Sequence, residues 1–206
     1  MEDVAAVILA AGRSQRMGAF KPLLPFGKQT VIESCVEYLQ KAGIENIVVV
    51  LGHRAEEVRA RISHLNVVCV VNSDATSEMN ASIAVGVREL PPTARATLIA
   101  LADHPAVPPS VVSKLIAEWQ KGASLVIPTW QNRGGHPVLV DMRYRSELQN
   151  LDPNRGLRAL FDAHRDELKR VPVESPYVAR DMDTWDDYAA LYQEVFGEPP
   201  PDPPRE

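Results

Sequence analysis

Three basic side chains fall within nine positions of one loop near the N-terminus. They are Arg13, Arg16 and Lys21, and the positions between an apolar run and these cations hold small residues. Small residues let the backbone approach a ligand closely, and their amide groups can form a concave site for anions. Clustered cations beside such amides suit a polyphosphate. The alternative is a surface turn with solvated cations, and the loop taken alone does not decide between the two.

Carboxylates follow two further segments of the chain. Asp103 comes directly after the apolar residues 98–102, where it could bind a metal ion or cap the turn that follows. Asp181 and Asp183 alternate before a helical pattern, and alternate residues of an extended segment share a side. Two carboxylates on one side repel each other unless a cation lies beside them. Mg²⁺ suits such a place, because it prefers one or two carboxylates together with substrate phosphates.

The elements that must position these residues are indicated by apolar periodicity. Continuous apolar runs predict strands at residues 4–10, 47–51, 67–71, 97–102, 125–128, 137–140 and 171–173. Helical spacing predicts helices at residues 30–42, 55–62, 77–90, 108–120, 143–150, 156–167 and 185–196. Within the helix at 77–90, Met79 is expected in the core. Thr184 is a plausible N-cap of the last helix, with Asp187 in the position of a capping box.

Strands that alternate with helices predict an α/β fold, Rossmann-like, with a mostly parallel sheet and helices on both faces. We expect a single domain over residues 1–197 and a Pro-rich, disordered tail over residues 198–206. Ligands of such sheets bind beyond the carboxyl ends of the strands. Function is therefore sought in the loop from Ala11, at Gly52-His53, from Asn72 onward and at Asp103-His104-Pro105.

Composition narrows the classes of protein that remain. The 206 residues carry a formal charge of −5, which disfavours a large nucleic-acid surface. No apolar run is long enough to span a membrane, and no signal peptide is expected at the N-terminus. The two cysteines, Cys35 and Cys69, form no close-spaced pair, which fits a reduced compartment. These features predict a cytoplasmic protein without membrane or nucleic-acid partners.

The loop carries a string, LAAGRSQRMG followed by KPLL, that resembles the signature of the MobA-like nucleotidyltransferases. The resemblance is greatest to the molybdenum cofactor cytidylyltransferase branch, and its fold is of the nucleotide-diphospho-sugar transferase type. The matching positions are Leu9, Ala10, Ala11, Gly12, Ser14, Arg16, Met17, Gly18, Lys21, Leu23 and Leu24. Guanylyltransferase relatives usually carry Gly where Ala11 stands, so the resemblance favours CTP over GTP.

The resemblance implies roles for individual residues. Lys21, Arg16 and Asp103 would be catalytic, and Mg²⁺ would be held by Asp103, Asp183 and Asp181. The acceptor would meet Gly135, His136, Pro137 and Arg158. The nucleotide would be bound by Leu9, Ala10, Ala11, Gly12, Arg13, Ser14, Lys21, Asn72 and Ser82.

Three positions depart from the usual family pattern. His104 stands where the family often has Gln, and we interpret it as a neighbour of the metal site and not a ligand. Glu78 replaces a usual Gly, and its charge would oppose a nearby phosphate. Asn154 replaces a usual Asp, and capping of the following helix is a sufficient explanation for it.

The resemblance implies an Mg²⁺-dependent transfer of a nucleoside monophosphate to a phosphorylated acceptor, with release of pyrophosphate. Molybdopterin carrying molybdenum is the expected acceptor, and a molybdoenzyme is a possible client. Three alternatives stay open: the same transfer to a sugar phosphate or similar acceptor, a nucleotide-binding chaperone without catalysis, and an NAD-type oxidoreductase. The last is disfavoured because the loop lacks the G-x-G-x-x-G pattern.

Overall fold

A strand with apolar side chains on both faces lies in the middle of the sheet. In this strand, β1 (Val4–Ala10), Ala6 and Ile8 pack into one hydrophobic cluster. Ala5 and Val7 point the other way and pack into a second cluster. Alternate side chains of a strand face opposite sides of the sheet, so an uninterrupted apolar run is what a strand covered on both faces requires.

The computed structural model describes residues 3–14, 16–73 and 79–201. Its further strands are β2 (Pro25–Phe26), β3 (Gln29–Thr30), β4 (Asn46–Leu51), β5 (Val68–Val71), β6 (Ala96–Leu101), β7 (Leu125–Trp130), β8 (Arg133–Gly134), β9 (Val138–Asp141) and β10 (Leu168–Pro172). The main sheet has the order β10-β7-β9-β6-β1-β4-β5, with β8 paired to β7, while β2 and β3 form a separate hairpin.

The sheet is mostly parallel, as the alternation of elements predicts. The pairs β1–β4, β1–β6, β4–β5 and β7–β10 are parallel. Within the main sheet, only β9 and the short β8 run antiparallel to their neighbours among the described strands. β8 follows β7 through Gln131 and Asn132, whose φ angles of 47° and 68° are those of a tight hairpin turn.

Two predicted strands differ from the observed strands by two or more residues at one end. The strand expected at 125–128 continues to Trp130, because β10 pairs with it as far as Thr129 and Trp130 pairs with Arg133 of β8. The strand expected at 171–173 is β10, which begins three residues earlier at Leu168. Charged residues at its start interrupt the apolar run on which the prediction depended.

Helices cover both faces of the sheet. Their bounds are α1 (Val31–Lys41), α2 (Ala55–Arg61), α3 (Met79–Glu89), α4 (Pro109–Gln120), α5 (Arg145–Gln149), α6 (Leu157–Ala163) and α7 (Trp185–Phe196). Buried residues of α1, α2 and α4 share one hydrophobic cluster, and those of α3, α5 and α6 share the cluster on the opposite face. In the part of the chain that the structure describes, no helix has the length and apolar character of a membrane span.

Several helix boundaries also differ from the prediction. The helix expected at 156–167 ends at Ala163 and is followed by a 3-10 turn, while the one expected at 143–150 begins as a 3-10 turn. Positions 77 and 78 of the helix predicted at 77–90 lie outside the described residues. Of the expected tail, residues 198–201 form neither helix nor strand, and residues 202–206 lie outside the described residues.

The last helix, α7, packs against the loop that follows β1. Its Tyr188 is buried in a cluster with Met17 of that loop, and the Tyr188 hydroxyl donates to the Pro25 carbonyl at 2.6 Å. The capping box between Thr184 and Asp187 is present, as predicted. A helix that begins at this place, docked on this loop, brings the preceding carboxylates to the carboxyl end of β1.

Gly86 of α3 lies directly on the sheet. A Cβ at this position would approach Val7 Cγ1 to 2.4 Å and Val50 Cγ2 to 2.8 Å, and both valines are fully buried. The absence of a side chain therefore sets how closely α3 approaches β1 and β4.

We expect Gly86→Ala to lower the free energy of unfolding. Overpacking of a filled core typically costs about 1–3 kcal/mol, which exceeds the gain of up to about 1 kcal/mol in helix propensity. The matched control is Gly12→Ala, since a Cβ at Gly12 has no neighbour within 4 Å. Urea denaturation checks both variants, and a Gly86→Ala protein as stable as the unsubstituted chain would contradict this view of the α3 contact.

Candidate active site

A cavity of about 520 Å³ opens at the carboxyl ends of β1, β4, β5 and β6. All nine residues that the sequence assigns to nucleotide binding line it, from Leu9 to Ser14, at Lys21 and at Asn72 and Ser82. Further lining residues are Pro22, Gly52, His53, Val71, Ser73, Met79, Leu101, Ala102 and Asp103. The strand-end rule therefore brings together segments that lie far apart in the chain.

The loop after β1 is held in shape by its own hydrogen bonds. Ser14 has a φ of 53°, and its Oγ accepts a hydrogen bond from the Lys21 amide at 3.1 Å. The Ser14 carbonyl accepts from the Met17 amide, also at 3.1 Å. Met17 is buried beneath α7. These contacts return the chain toward β1 and place Lys21 at the mouth of the cavity.

Close backbone contact shapes the side of the cavity next to β4. A Cβ on Gly52 would lie 2.7 Å from the Ala11 carbonyl oxygen, so the ends of β1 and β4 touch there without an intervening side chain. His53 follows and packs edge-on against Phe20, with ring centroids 5.6 Å apart. Neither Gly52 nor His53 is among the predicted site residues, although both stand in a segment that the strand-end rule selects.

The Lys21 ammonium lies between two carboxylates from distant parts of the chain. Its Nζ is 2.8 Å from Asp183 Oδ1 and 3.4 Å from Asp103 Oδ2. Arg16 contacts the other oxygen of Asp183 at 2.9 Å, from a side chain that is 75% exposed. The Lys21 side chain is only 13% exposed. Asp103 and Asp183, both predicted metal ligands, thus meet at Lys21, which is a predicted catalytic residue.

The third predicted metal ligand, Asp181, lies beside the buried side chain of His104. His104 is 2% exposed, and its Nδ1 lies 3.2 Å from the Tyr177 carbonyl oxygen. Its Nε2 faces Asp181 Oδ1 at 3.4 Å and Asp103 Oδ1 at 3.8 Å. The long polar contact with His104, reinforced by nearby charge, holds the pKa of Asp181 below its usual value. His104 is therefore a direct neighbour of two of the predicted ligands.

The donor set at this place fits a hard divalent cation. Its groups are carboxylate oxygens, which Mg²⁺ and Mn²⁺ prefer, and the ammonium between Asp103 and Asp183 shows that a positive charge fits between them. Within the described ranges, no three His, Cys, Asp or Glu side chains are already gathered in the arrangement of a metal site. Lys21 must therefore move before both carboxylates could contact one ion.

A second cavity of about 740 Å³ lies beside the first, and Met79 lines both. Of the residues predicted to meet the acceptor, Gly135, His136 and Arg158 line the second cavity, while Pro137 is buried and does not. A Cβ on Gly135 would lie 2.0 Å from the Val178 carbonyl oxygen. This position accepts only glycine without a shift of the backbone.

His136 is held as a neutral side chain at this cavity. Its Nδ1 lies 3.3 Å from the Ile99 carbonyl oxygen, which can only accept, so Nδ1 carries the proton. Burial, together with the neighbouring His104, lowers the pKa of His136 from 6.5 to about 4, against the opposite effects of Ile99, Asp103 and Asp181. At neutral pH the ring therefore bears no charge.

Three expectations about the middle of the chain are changed or fall outside the description. Met79 was expected in the core but is 49% exposed, because it stands at the rim between the two cavities. Asn154 does not cap α6, whose N-cap is Gly156; instead the Asn154 amide donates to the Asp152 carboxylate at 2.8 Å. Glu78, whose charge was expected to oppose a phosphate, lies outside the described residues.

Asn72 and Ser82 form a buried pair at the wall of the first cavity. Asn72 Nδ2 donates to Ser82 Oγ at 3.0 Å, and the Asn72 amide donates to the Leu51 carbonyl at 2.8 Å. The pair joins the end of β5 to α3. It thereby fixes the wall of the cavity opposite the basic loop.

Comparison with protein families gives one clear match. A model of the MobA-like NTP transferase domain matches residues 6–168. Among curated proteins, the chain is 33% identical over 150 residues to nicotine blue oxidoreductase of Paenarthrobacter nicotinovorans, covering 69% of this chain and 72% of that protein. It is 23% identical over 192 residues to molybdenum cofactor cytidylyltransferase of Escherichia coli K12, covering 91% and 95%.

Solved structures show the same fold. A nucleotidyl transferase from Methanothermobacter is 28% identical, with a TM-score of 0.82, and the match covers 94% of this chain and 98% of that one. A Mycobacterium tuberculosis H37Rv protein solved as a complex with manganese is 27% identical, with a TM-score of 0.79 and coverage of 94% and 100%. The likeness therefore extends over both cavities.

Removal of the Lys21 charge should make the free protein bind Mn²⁺ more tightly. Lys21→Met keeps the apolar stem but removes the ammonium that competes for Asp103 and Asp183, and we expect about a tenfold lower dissociation constant, or about 1.4 kcal/mol. Electron paramagnetic resonance of unbound Mn²⁺ measures it. Lys28→Met, at an exposed turn, is the matched control. Unchanged affinity in Lys21→Met would show that the ammonium does not compete with the ion.

The pKa of His136 predicts how acid destabilises the fold. The unfolded chain takes up a proton on this ring below pH 6.5, whereas the folded chain does so only near pH 4. Between these values the unfolded state binds more protons, so the free energy of unfolding falls as the pH falls, by up to about 3 kcal/mol from this group.

His136→Asn should remove this component. Denaturation by urea at several values between pH 7 and pH 4.5 is the measurement, and the unsubstituted protein should lose more stability on acidification than the variant. Equal losses in the two proteins would show that His136 is protonated as easily in the folded chain as in the unfolded chain.

Proposed function

Because this chain belongs to the MobA-like NTP transferase family, we propose that it transfers a nucleoside monophosphate, CMP from CTP in the favoured case, to a phosphate of a small acceptor. The favoured acceptor is molybdopterin that carries molybdenum, and the second product is pyrophosphate. The observation that carries the proposal is the meeting of Asp103, Asp183 and Lys21 at the mouth of the first cavity.

In this proposal the basic loop, which carries Arg13, Arg16 and Lys21, receives the triphosphate. Arg13 lines the cavity, and Lys21 and Arg16 stand at its mouth, where both contact Asp183. Arriving phosphates compete with Asp183 for these cations, so Lys21 and Arg16 turn toward the nucleotide. Their charge then stabilises the negative charge that develops on the phosphoryl oxygens and on the departing pyrophosphate, which is the usual source of rate in phosphoryl transfer.

Once Lys21 and Arg16 have turned toward the nucleotide, the carboxylates that they contacted would hold Mg²⁺. Asp103 and Asp183 would be its ligands, with Asp181 beside them, and the ion would supply positive charge to the phosphate oxygens of the nucleotide. Support comes from the oxygen donor set and from the related Mycobacterium tuberculosis protein, which was solved with manganese. His104 would orient Asp103 and Asp181 from the buried side.

The acceptor would enter through the second cavity. Gly135, His136 and Arg158, which line this cavity, would hold it, whereas Pro137 is buried and does not line the cavity. An attacking phosphate is already ionised near neutral pH, so the chemistry needs no general base, and the neutral ring of His136 adds no charge that would have to be removed. Alignment of the two substrates supplies the remainder of the rate.

The preference for CTP is supported by Ala11. Its side chain stands on the wall of the nucleotide cavity, in contact with Gly52. Relatives that use GTP usually carry glycine there, and a methyl group in place of hydrogen leaves less room for a purine. The 23% identity to a molybdenum cofactor cytidylyltransferase points in the same direction.

The similarity to a protein named nicotine blue oxidoreductase favours a second candidate, a hydride transfer with a nicotinamide cofactor. The cavity for a nucleotide would serve either reaction. The two carboxylates around Lys21 favour phosphoryl transfer, because hydride transfer has no need of a divalent cation.

We expect Asp103→Asn to keep the fold and to lose pyrophosphate release by about 10²- to 10³-fold, the size of effect found when one electrostatic group is removed from such a site. The assay follows pyrophosphate with CTP, Mg²⁺ and molybdopterin, and Asp166→Asn at an exposed turn outside both cavities is the matched control. Near-normal turnover of Asp103→Asn would overturn the assigned role of this carboxylate.

The same assay separates the candidate functions. Release with sugar phosphates instead of molybdopterin would change the acceptor. Binding of CTP without release for any acceptor would favour a chaperone that passes a cofactor to a molybdoenzyme. Oxidation of NADH or NADPH in the presence of an electron acceptor, without pyrophosphate release, would favour the oxidoreductase.

A further inference from the structure

The second cavity is positively charged in a chain whose net charge is −5. Three arginines line it: Arg155, Arg158 and Arg170. No Asp or Glu is found among its described lining residues. A pocket with this lining favours an anionic ligand over a neutral one.

Two of these arginines have no ion-pair partner among the described residues. Arg155 is paired with Asp162, which also contacts Arg165 at 3.1 Å. Arg158 and Arg170 form no ion pair with any residue that the structure describes, and both are exposed at the cavity. The cavity thus presents two uncompensated guanidinium groups.

Arg170 is directed into the cavity by strand pairing. It lies on β10 opposite Ile127 of β7, and its guanidinium lies 3.8 Å from the place where a Cβ of Gly134 would stand. Its neighbour Lys169 alternates to the other side of the sheet and contacts Glu118 of α4 at 3.9 Å. The predicted bounds of this strand began at residue 171, so the sequence pattern did not select Arg170.

Arg158 is positioned by hydrogen bonds between α3 and the turn before α6. Asn80 Nδ2 donates to the carbonyls of Asp152 at 3.1 Å and Pro153 at 2.6 Å. Gly156 has a φ of 53°, and a Cβ there would lie 2.6 Å from Asn80 Oδ1. The turn is held closely against Asn80, and Arg158 follows in the first turn of α6.

The reacting end of the cavity is at His136. The ring of His136 lies edge-on to that of His104, with centroids 6.0 Å apart, and His104 contacts Asp103 and Asp181. A phosphate that attacks the nucleotide must lie near these carboxylates. The two free guanidinium groups are contributed by other elements, α6 and β10, and need a different anion.

We propose that Arg158 and Arg170 bind a second anionic group of the acceptor, distinct from the phosphate that reacts. This inference rests on the proposed function and narrows its substrate to small molecules with two separate anionic groups. Guanidinium groups suit this task, because each can form two parallel hydrogen bonds to a phosphoryl or carboxylate group. An acceptor with a single phosphate would leave both charges without a partner.

The test uses inorganic phosphate as the probe and ¹⁵N-labelled full-length protein. Phosphate is titrated at constant ionic strength, with and without Mg²⁺ and a non-hydrolysable CTP analogue, while the amide resonances of Gly134 and Gly156 are followed. We expect saturable shifts of both resonances in either condition. Arg158→Gln and Arg170→Gln should each raise the dissociation constant at least tenfold, whereas Lys169→Gln, the matched control on the other face, should leave it unchanged.

Three results would overturn the inference. They are shifts that do not saturate, equal affinity in the arginine variants and the control, and loss of phosphate binding when the CTP analogue is present, since the site would then belong to the triphosphate. Unchanged urea midpoints show that the variants are folded. The readout is binding and not turnover, so a failure of the proposed transfer reaction would appear separately, as absent pyrophosphate release with phosphate binding intact.

Discussion

One ionic contact joins the parts of the molecule that matter for chemistry. The ammonium of Lys21 lies between Asp103, which follows β6, and Asp183, which precedes α7. The carboxylates are 80 positions apart and repel each other without a cation. The packing of α7 on the basic loop, the return of that loop through Ser14 and the parallel pairing of β1 with β6 all serve to bring these three charges together.

Much of this arrangement could be predicted from the sequence, because the determining signals are local. An uninterrupted apolar run identifies β1, and the rule that ligands bind beyond strand ends selects the basic loop, Asn72 and Asp103. The capping box at Thr184 marks the start of α7. The roles of these residues needed more than periodicity and came from resemblance to the MobA-like family.

The features that escaped prediction depend on contacts between distant segments. The burial of His104 between Asp103 and Asp181 requires the turn at Tyr177, which no local pattern places there. Met79 has the spacing of a core residue, yet two cavities meet beside it and leave it exposed. Arg170 lies on β10, where charged residues near the start break the run of apolar residues that predicts a strand. Its direction follows from pairing with β7, which sequence periodicity does not report.

Helix α3 has a further consequence, because a single rigid element touches both cavities. Its Ser82 accepts a hydrogen bond from Asn72 at the wall of the first cavity, and two residues earlier Asn80 holds the turn before α6. With Gly86 pressed on the sheet, the helix has little freedom to tilt at one end alone. A ligand in the first cavity that displaces α3 would also move the turn before α6, and by linkage a ligand in the second cavity would change the affinity of the first by the same factor. The two cavities are thereby coupled through the helix that they share.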